Sequence, residues 1–141
     1  MTTWRLNLTY NPFGTLAAIA AIVLGGLGII MGDGVSQGMT ESLHSVAGIV
    51  AHLWGLMFAA GGALKLYGLY TGRTIVEIPG LWLMVGGYGF YSLTVIAGLG
   101  AHGIAAGIIS AAMTIGCLLK VRIIMTSARE VTRLHRTRDR E

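Results

Sequence analysis

The chain has 141 residues, 54% of them hydrophobic and 11% charged, with a mean hydropathy of +0.71; an average soluble domain carries about 25% charged residues. A soluble protein of this length could not hide so much apolar surface, which excludes a water-soluble globular domain. Ten Lys and Arg outweigh six Asp and Glu to give a net charge of +4, yet residues 14–32 and 78–119 contain none of the four, and uncharged apolar runs of that length belong in lipid.

The first such run, residues 14–31, follows Asn11-Pro12, a turn that suits a helix start. Arg5 is the one basic residue ahead of it. The run exceeds the usual apolar core of a signal peptide, and Met31-Gly-Asp-Gly-Val-Ser is a poor cleavage site, so the run is read as a retained span. Residues 32–44 hold Asp33, Gly34, Ser36, Gln37, Gly38, Thr40, Glu41 and Ser42, the composition of an exposed loop. A second helix is expected over about 45–70, and residues 71–74 form a short polar turn. Glu77 and Pro79 mark the start of the next apolar stretch. From 78 to 119 it is too long for one span and long enough for two, with Gly98, Gly100 and Gly103 as the break. Helices three and four are therefore expected over about 78–97 and 104–124, with a re-entrant loop as the alternative.

Orientation follows from the basic residues. Arg5, Lys65, Arg73, Lys120, Arg122, Arg129, Arg133, Arg136, Arg138 and Arg140 fall on the side shared by the termini and the second loop, while the first and third loops hold none. The positive-inside rule puts both termini in the cytoplasm of a multi-pass protein of the inner membrane. Lys65, just inside the second helix, is expected to snorkel to the headgroups. The fold expected is an all-α integral membrane four-helix bundle over residues 1–124, carried on by a basic amphipathic cytoplasmic helix over 125–141.

Small residues recur at four-residue spacing: Ala17, Ala21 and Gly25, with Gly28 and Gly32, on the first helix; Ala51, Gly55, Ala59 and Ala63 on the second; Gly103, Gly107 and Ala111 on the fourth. Such files let helix backbones approach in lipid. They can close one bundle or join copies into a homo-oligomer. On the tail, Val121, Ile124, Met125, Ala128, Val131 and Leu134 share one helical face, while Arg122, Arg129, Arg133, Arg136 and Arg140 share another. That pattern suits anionic lipids of the inner leaflet. No aromatic residue accompanies these arginines, which argues against nucleic acid. Alternation of Trp4, Leu6, Leu8 and Tyr10 with polar residues suggests an extended interfacial segment.

No nucleophile triad, P-loop or zinc-spaced Cys/His set is present, so no enzyme and no cofactor are expected. The first helix also lacks the carboxylate that small proton-coupled exporters require. Cys117, the one cysteine, is expected to pack within a span. His52 and His102 are a weak alternative pair of haem or metal ligands, with His44 nearby. At 3.6 residues per turn His44 and His52 lie about 80° apart around a helix, and hydrogen bonding between helices is the plainer reading.

The short length, the Gly/Ala-rich spans over 16–28 and 103–116, the lack of catalytic residues and the Arg-rich end from Arg129 to Arg140 resemble the holins and holin-like small membrane proteins of phages infecting high-GC bacteria. The resemblance is one of architecture over the whole chain. It implies a protein that accumulates in the inner membrane, oligomerises into a pore and releases a cell-wall hydrolase for host lysis. A non-enzymatic scaffold that recruits a partner through its basic tail, and a haem-bearing electron carrier, are the alternatives.

Overall fold

The computed structural model describes residues 11–138, with side chains described through residue 130 except at Asp33. The N-terminal segment up to Tyr10 and the last three residues, Arg140 among them, lie outside the described residues. Every described residue is helical except Asn11, Ser36, Gly72 and Arg73. The α-helices are α1 (Pro12–Met31), α2 (Gln37–Leu43), α3 (Ala47–Thr71), α4 (Thr74–Leu99) and α5 (Ile104–Arg138), with 3₁₀ turns at Gly32–Val35, His44–Val46 and Gly100–Gly103.

Among the described residues, three helical stretches are long and apolar enough to cross a membrane: Pro12–Met31, Gln37–Thr71 and Thr74–Glu130, the last of 57 residues. Four separated spans were expected. The difference arises because residues 100–103 do not open into a loop; they stay wound as a 3₁₀ turn and keep α4 and α5 in one helical run. That run is not straight. Gly100 takes φ 52°, a value open to glycine at little cost, and its N–H donates to the Ile96 carbonyl. Beyond the turn α5 packs back along α4, and Ser92 Oγ donates to the Gly107 carbonyl at 2.8 Å.

Local chemistry sets the ends. Asn11 Oδ1 accepts from the Gly14 N–H at 3.2 Å and Pro12 occupies the first turn of α1, where a missing N–H costs nothing. Gly72, left-handed at φ 66°, ends α3. Pro79 lies inside α4 and does not mark its start. The helix begins at Thr74 because the N–H that proline lacks leaves the Ile75 carbonyl without its helical donor but does not stop the first turn from forming. Residues 32–44 are likewise not an exposed loop. Met39 is fully buried and Gly38 lies against the backbone of Val95 on α4, so α2 is pinned to the bundle by an apolar face.

Packing follows chain order: α1 against α3, α3 against α4, α4 against α5, and α2 against α4. The first and last of these, α1 and α5, share no extended interface. The shared core comprises Ala17, Ala18, Ala21, Ala51, Trp54, Phe58, Leu81, Met84, Tyr88, Cys117 and Val121 with Met39. Phe58 meets Tyr88 edge-on at 4.6 Å, and Trp54 lies 5.1 Å from Phe58 and 5.8 Å from Tyr91. Edge and offset ring geometries of this kind are favourable beyond the area they bury.

Candidate functional site

The charged groups among the apolar helices gather at the end of the bundle where α3 passes into α4. Here the two backbones nearly touch: a Cβ on Gly68 would sit 2.7 Å from the Glu77 nitrogen, and one on Gly80 would sit 2.6 Å from the Lys65 nitrogen. This approach turns Lys65 and Glu77 inward, with relative exposures of 2% and 8%. Lys120 reaches them from α5, its Nζ 2.6 Å from Glu77 Oε1. That oxygen is buried and accepts no other hydrogen bond among the described residues. Glu77 also stands in the first turn of α4, where the helix dipole favours a carboxylate.

Beside the pair lies a cavity of about 120 Å³, lined by residues from all four long helices. Asn11, Phe13, Gly14 and Ala17 form the α1 wall, Met113, Gly116, Cys117 and Lys120 the α5 wall, and Lys65 with Leu81 the floor. The Lys65 ammonium has no hydrogen bond or ion pair among the described residues, whose one ion pair is Lys120–Glu77. With all three groups ionised the cluster carries a single net positive charge.

Lys65 was expected to snorkel, and the structure corrects this. Gly61 and Gly68, four residues before and three after it, both abut α4, so Lys65 stands on a packed face of α3 and its side chain runs inside the bundle. Those two glycines were the signal in the sequence, since small residues at i−4 and i+3 mark a contact face. The Glu77–Lys120 pairing carried no such signal, because 43 positions separate the two.

The small-residue files are found mainly inside one chain. A Cβ on Gly25 would lie 2.5 Å from the Ala59 nitrogen, one on Gly55 2.7 Å from the Gly25 carbonyl oxygen, and one on Gly28 3.1 Å from the Gly55 Cα. Ala17, Ala21, Ala51 and Gly32 are buried as well. Ala59 is half-buried and Ala63 exposed, because steps of four residues drift about 40° each around the helix. Gly62, seven residues beyond Gly55, returns to that face, 2.6 Å from the Ala18 carbonyl oxygen by the same measure. Gly103, on the turn before α5, and Gly107, on α5, abut α4, and Ala111 is half-buried.

The histidines do not converge. His52 is exposed beside Gly32, its Nδ1 2.6 Å from the Gly48 carbonyl of its own helix. His102 is exposed on the turn that packs on α4 and α5, and His44 is exposed on its own turn. Among the described residues no three His, Cys, Asp or Glu could hold a metal ion.

Of the surface arginines, Arg122 and Arg129 are exposed on α5. Arg133 and Arg136 continue that helix with side chains outside the description. The helix runs through residue 125 without a break. Comparison with known proteins finds no family model, no curated protein and no solved structure that matches the chain.

Proposed function

We propose that the chain is a non-enzymatic anchor of the inner, cytoplasmic membrane that crosses it four times and holds a basic helix out to recruit an acidic cytoplasmic partner. The observation that carries this reading is the continuity of α5. Among the side chains described, which end at residue 130, the last buried one is Val121, yet the helix runs on to Arg138, about 25 Å at 1.5 Å per residue. A helical arm whose sequence carries Arg122, Arg129, Arg133, Arg136 and Arg138 puts more basic residues beyond the bundle than topology alone needs.

Four crossings are supported by length. The 57-residue stretch would measure about 85 Å if straight, against a hydrocarbon core of about 30 Å. Folded at Gly100, it supplies two crossings, and all ten basic residues then belong to the cytoplasmic half of the chain's path, Lys65 inside the bundle at that end.

A holin-like pore is the second reading, favoured by one observation. Ala105, Ala112 and Gly116 lie within about 40° of one another on α5 and are all exposed, a small-residue stripe open to a second copy. Against it stands the apolar filling of the bundle by Trp54, Phe58, Leu81 and Met84, so a water path would have to form between protomers.

One experiment separates the readings. Cells expressing the wild type, or a form with Arg129, Arg133, Arg136 and Arg138 changed to Gln, are tested for dye uptake and for co-purifying cytoplasmic proteins. The anchor keeps the membrane tight in both forms and loses its partner in the variant. Dye uptake by the wild type favours the pore and overturns the anchor.

A further inference from the structure

We propose that the cavity between α1 and α5 is a binding site for a phosphate oxyanion, with Lys65 and Lys120 as its charged ligands. Three independent observations meet there. Lys65 is 2% exposed, makes no hydrogen bond or ion pair among the described residues and lines the cavity; its one nearby carboxylate, Glu77, is shared with Lys120, and a largely buried ammonium that shares its counter-ion is stabilised by a further anion. Glu77 is already engaged by Lys120 at 2.6 Å, so the two lysines retain one uncompensated positive charge, which suits a monoanion such as a phosphodiester. The cavity walls belong to the two helices that share no extended interface, which leaves a side opening toward lipid.

The shape fits that chemistry. About 120 Å³ accommodates a phosphate group with ordered water but not an acyl chain. Phe13 and Met113 give the rim an apolar character that tolerates the glycerol end of a lipid, while Lys binds phosphate as a point charge. The same oxyanion could arrive as free phosphate or on a phospholipid of the inner leaflet. The site is independent of the arm.

Cys117, the one cysteine, lines the cavity and reports on its occupancy. Full-length protein in an uncharged detergent is alkylated with a small maleimide. The reaction is followed alone, with dioctanoyl phosphatidylglycerol, with inorganic phosphate, and with uncharged dioctanoylglycerol. The site predicts at least tenfold slower alkylation with phosphatidylglycerol or with inorganic phosphate, and the effective arm identifies the source. Dioctanoylglycerol should give no protection. Lys65→Met removes the unpaired buried charge, so it should fold and abolish protection, whereas Arg129→Gln should leave protection intact. Equal protection in Lys65→Met, protection by dioctanoylglycerol, or no protection by either phosphate source overturns the proposal.

Discussion

Gly25 and Gly26 are chain neighbours about 100° apart on α1, and a single methyl group should affect them in opposite directions. A Cβ on Gly25 would sit 2.5 Å from the Ala59 nitrogen and 2.6 Å from the Gly55 carbonyl oxygen, whereas one on Gly26 would have nothing within 4 Å. Ordinary van der Waals contact begins at 3.4 Å, so Gly25→Ala must push α1 and α3 apart by about 0.9 Å, against backbone atoms that cannot rotate aside. Overpacking of this kind costs about 1–3 kcal/mol, which outweighs the gain of roughly 0.5–1 kcal/mol from replacing a helical glycine by alanine. The difference is a loss of up to about 2.5 kcal/mol for Gly25→Ala, against a gain of about 0.5–1 kcal/mol for Gly26→Ala. Reversible unfolding in mixed micelles, followed by fluorescence, measures both. Equal losses at the two positions, or a Gly25→Ala as stabilising as Gly26→Ala, would refute the α1–α3 contact described above.

The remaining predictions concern the charged end, the topology and the aromatic core. Glu77→Gln should cost about 2–3 kcal/mol, between the roughly 3–5 kcal/mol of a fully enclosed pair and the 0–1 kcal/mol of an exposed one, because the Lys120 and Glu77 side chains are 25% and 11% exposed. A double-mutant cycle with Lys120→Met should show coupling above about 0.5 kcal/mol, and a smaller value would remove the pair from the account. In a Cys117→Ser background, cysteine at Ser45 should react with an impermeant maleimide from outside intact cells, and cysteine at Arg73 only after permeabilisation. The reverse pattern would invert the topology. Trp54→Phe removes the 2.9 Å donation from Nε1 to the Gly87 carbonyl and should cost about 0.5–1.5 kcal/mol, with a denaturation midpoint unchanged from wild type as the contrary result.

Apolar runs and charge segregation were legible in the sequence because they depend on composition along a single segment. Residues 14–31 needed no partner to read as a helix, and the structure extends them only to Pro12. What escaped depends on contacts between segments. The polar stretch 32–44 was read as an exposed loop on its Gly, Ser and Thr content, while its two larger apolar residues, Met39 and Leu43, four apart on one helical face, dock it on the bundle. Lys65 was judged by its closeness to a helix end, although its burial is set by glycines on either side that bring α4 against the same face. The glycine files were visible as spacing, but which neighbour each would meet was not. Gly25 and Gly55 meet each other, and Gly61 faces the other way toward α4.

Glycine surfaces make smooth contacts, and smoothness leaves a question of axial alignment. Where α1 lies on α3, a slide of one helical turn, about 5.4 Å, would bring another small residue near each position: Ala21 replaces Gly25, and Ala51 or Ala59 replaces Gly55. Dispersion alone therefore distinguishes weakly between neighbouring alignments. Two bonds from aromatic side chains to backbone oxygens remove that degeneracy. Tyr88 Oη donates to the Ala17 carbonyl at 3.0 Å, and Trp54 Nε1 donates to the Gly87 carbonyl at 2.9 Å. The first ties α4 to α1, the second ties α3 to α4, and both acceptors are already within helical ladders, so neither bond can be recovered after a slip of even 1.5 Å without a new partner. The pair works like a vernier: α1, α3 and α4 are free to approach closely because two buried pins determine where along their length they stop.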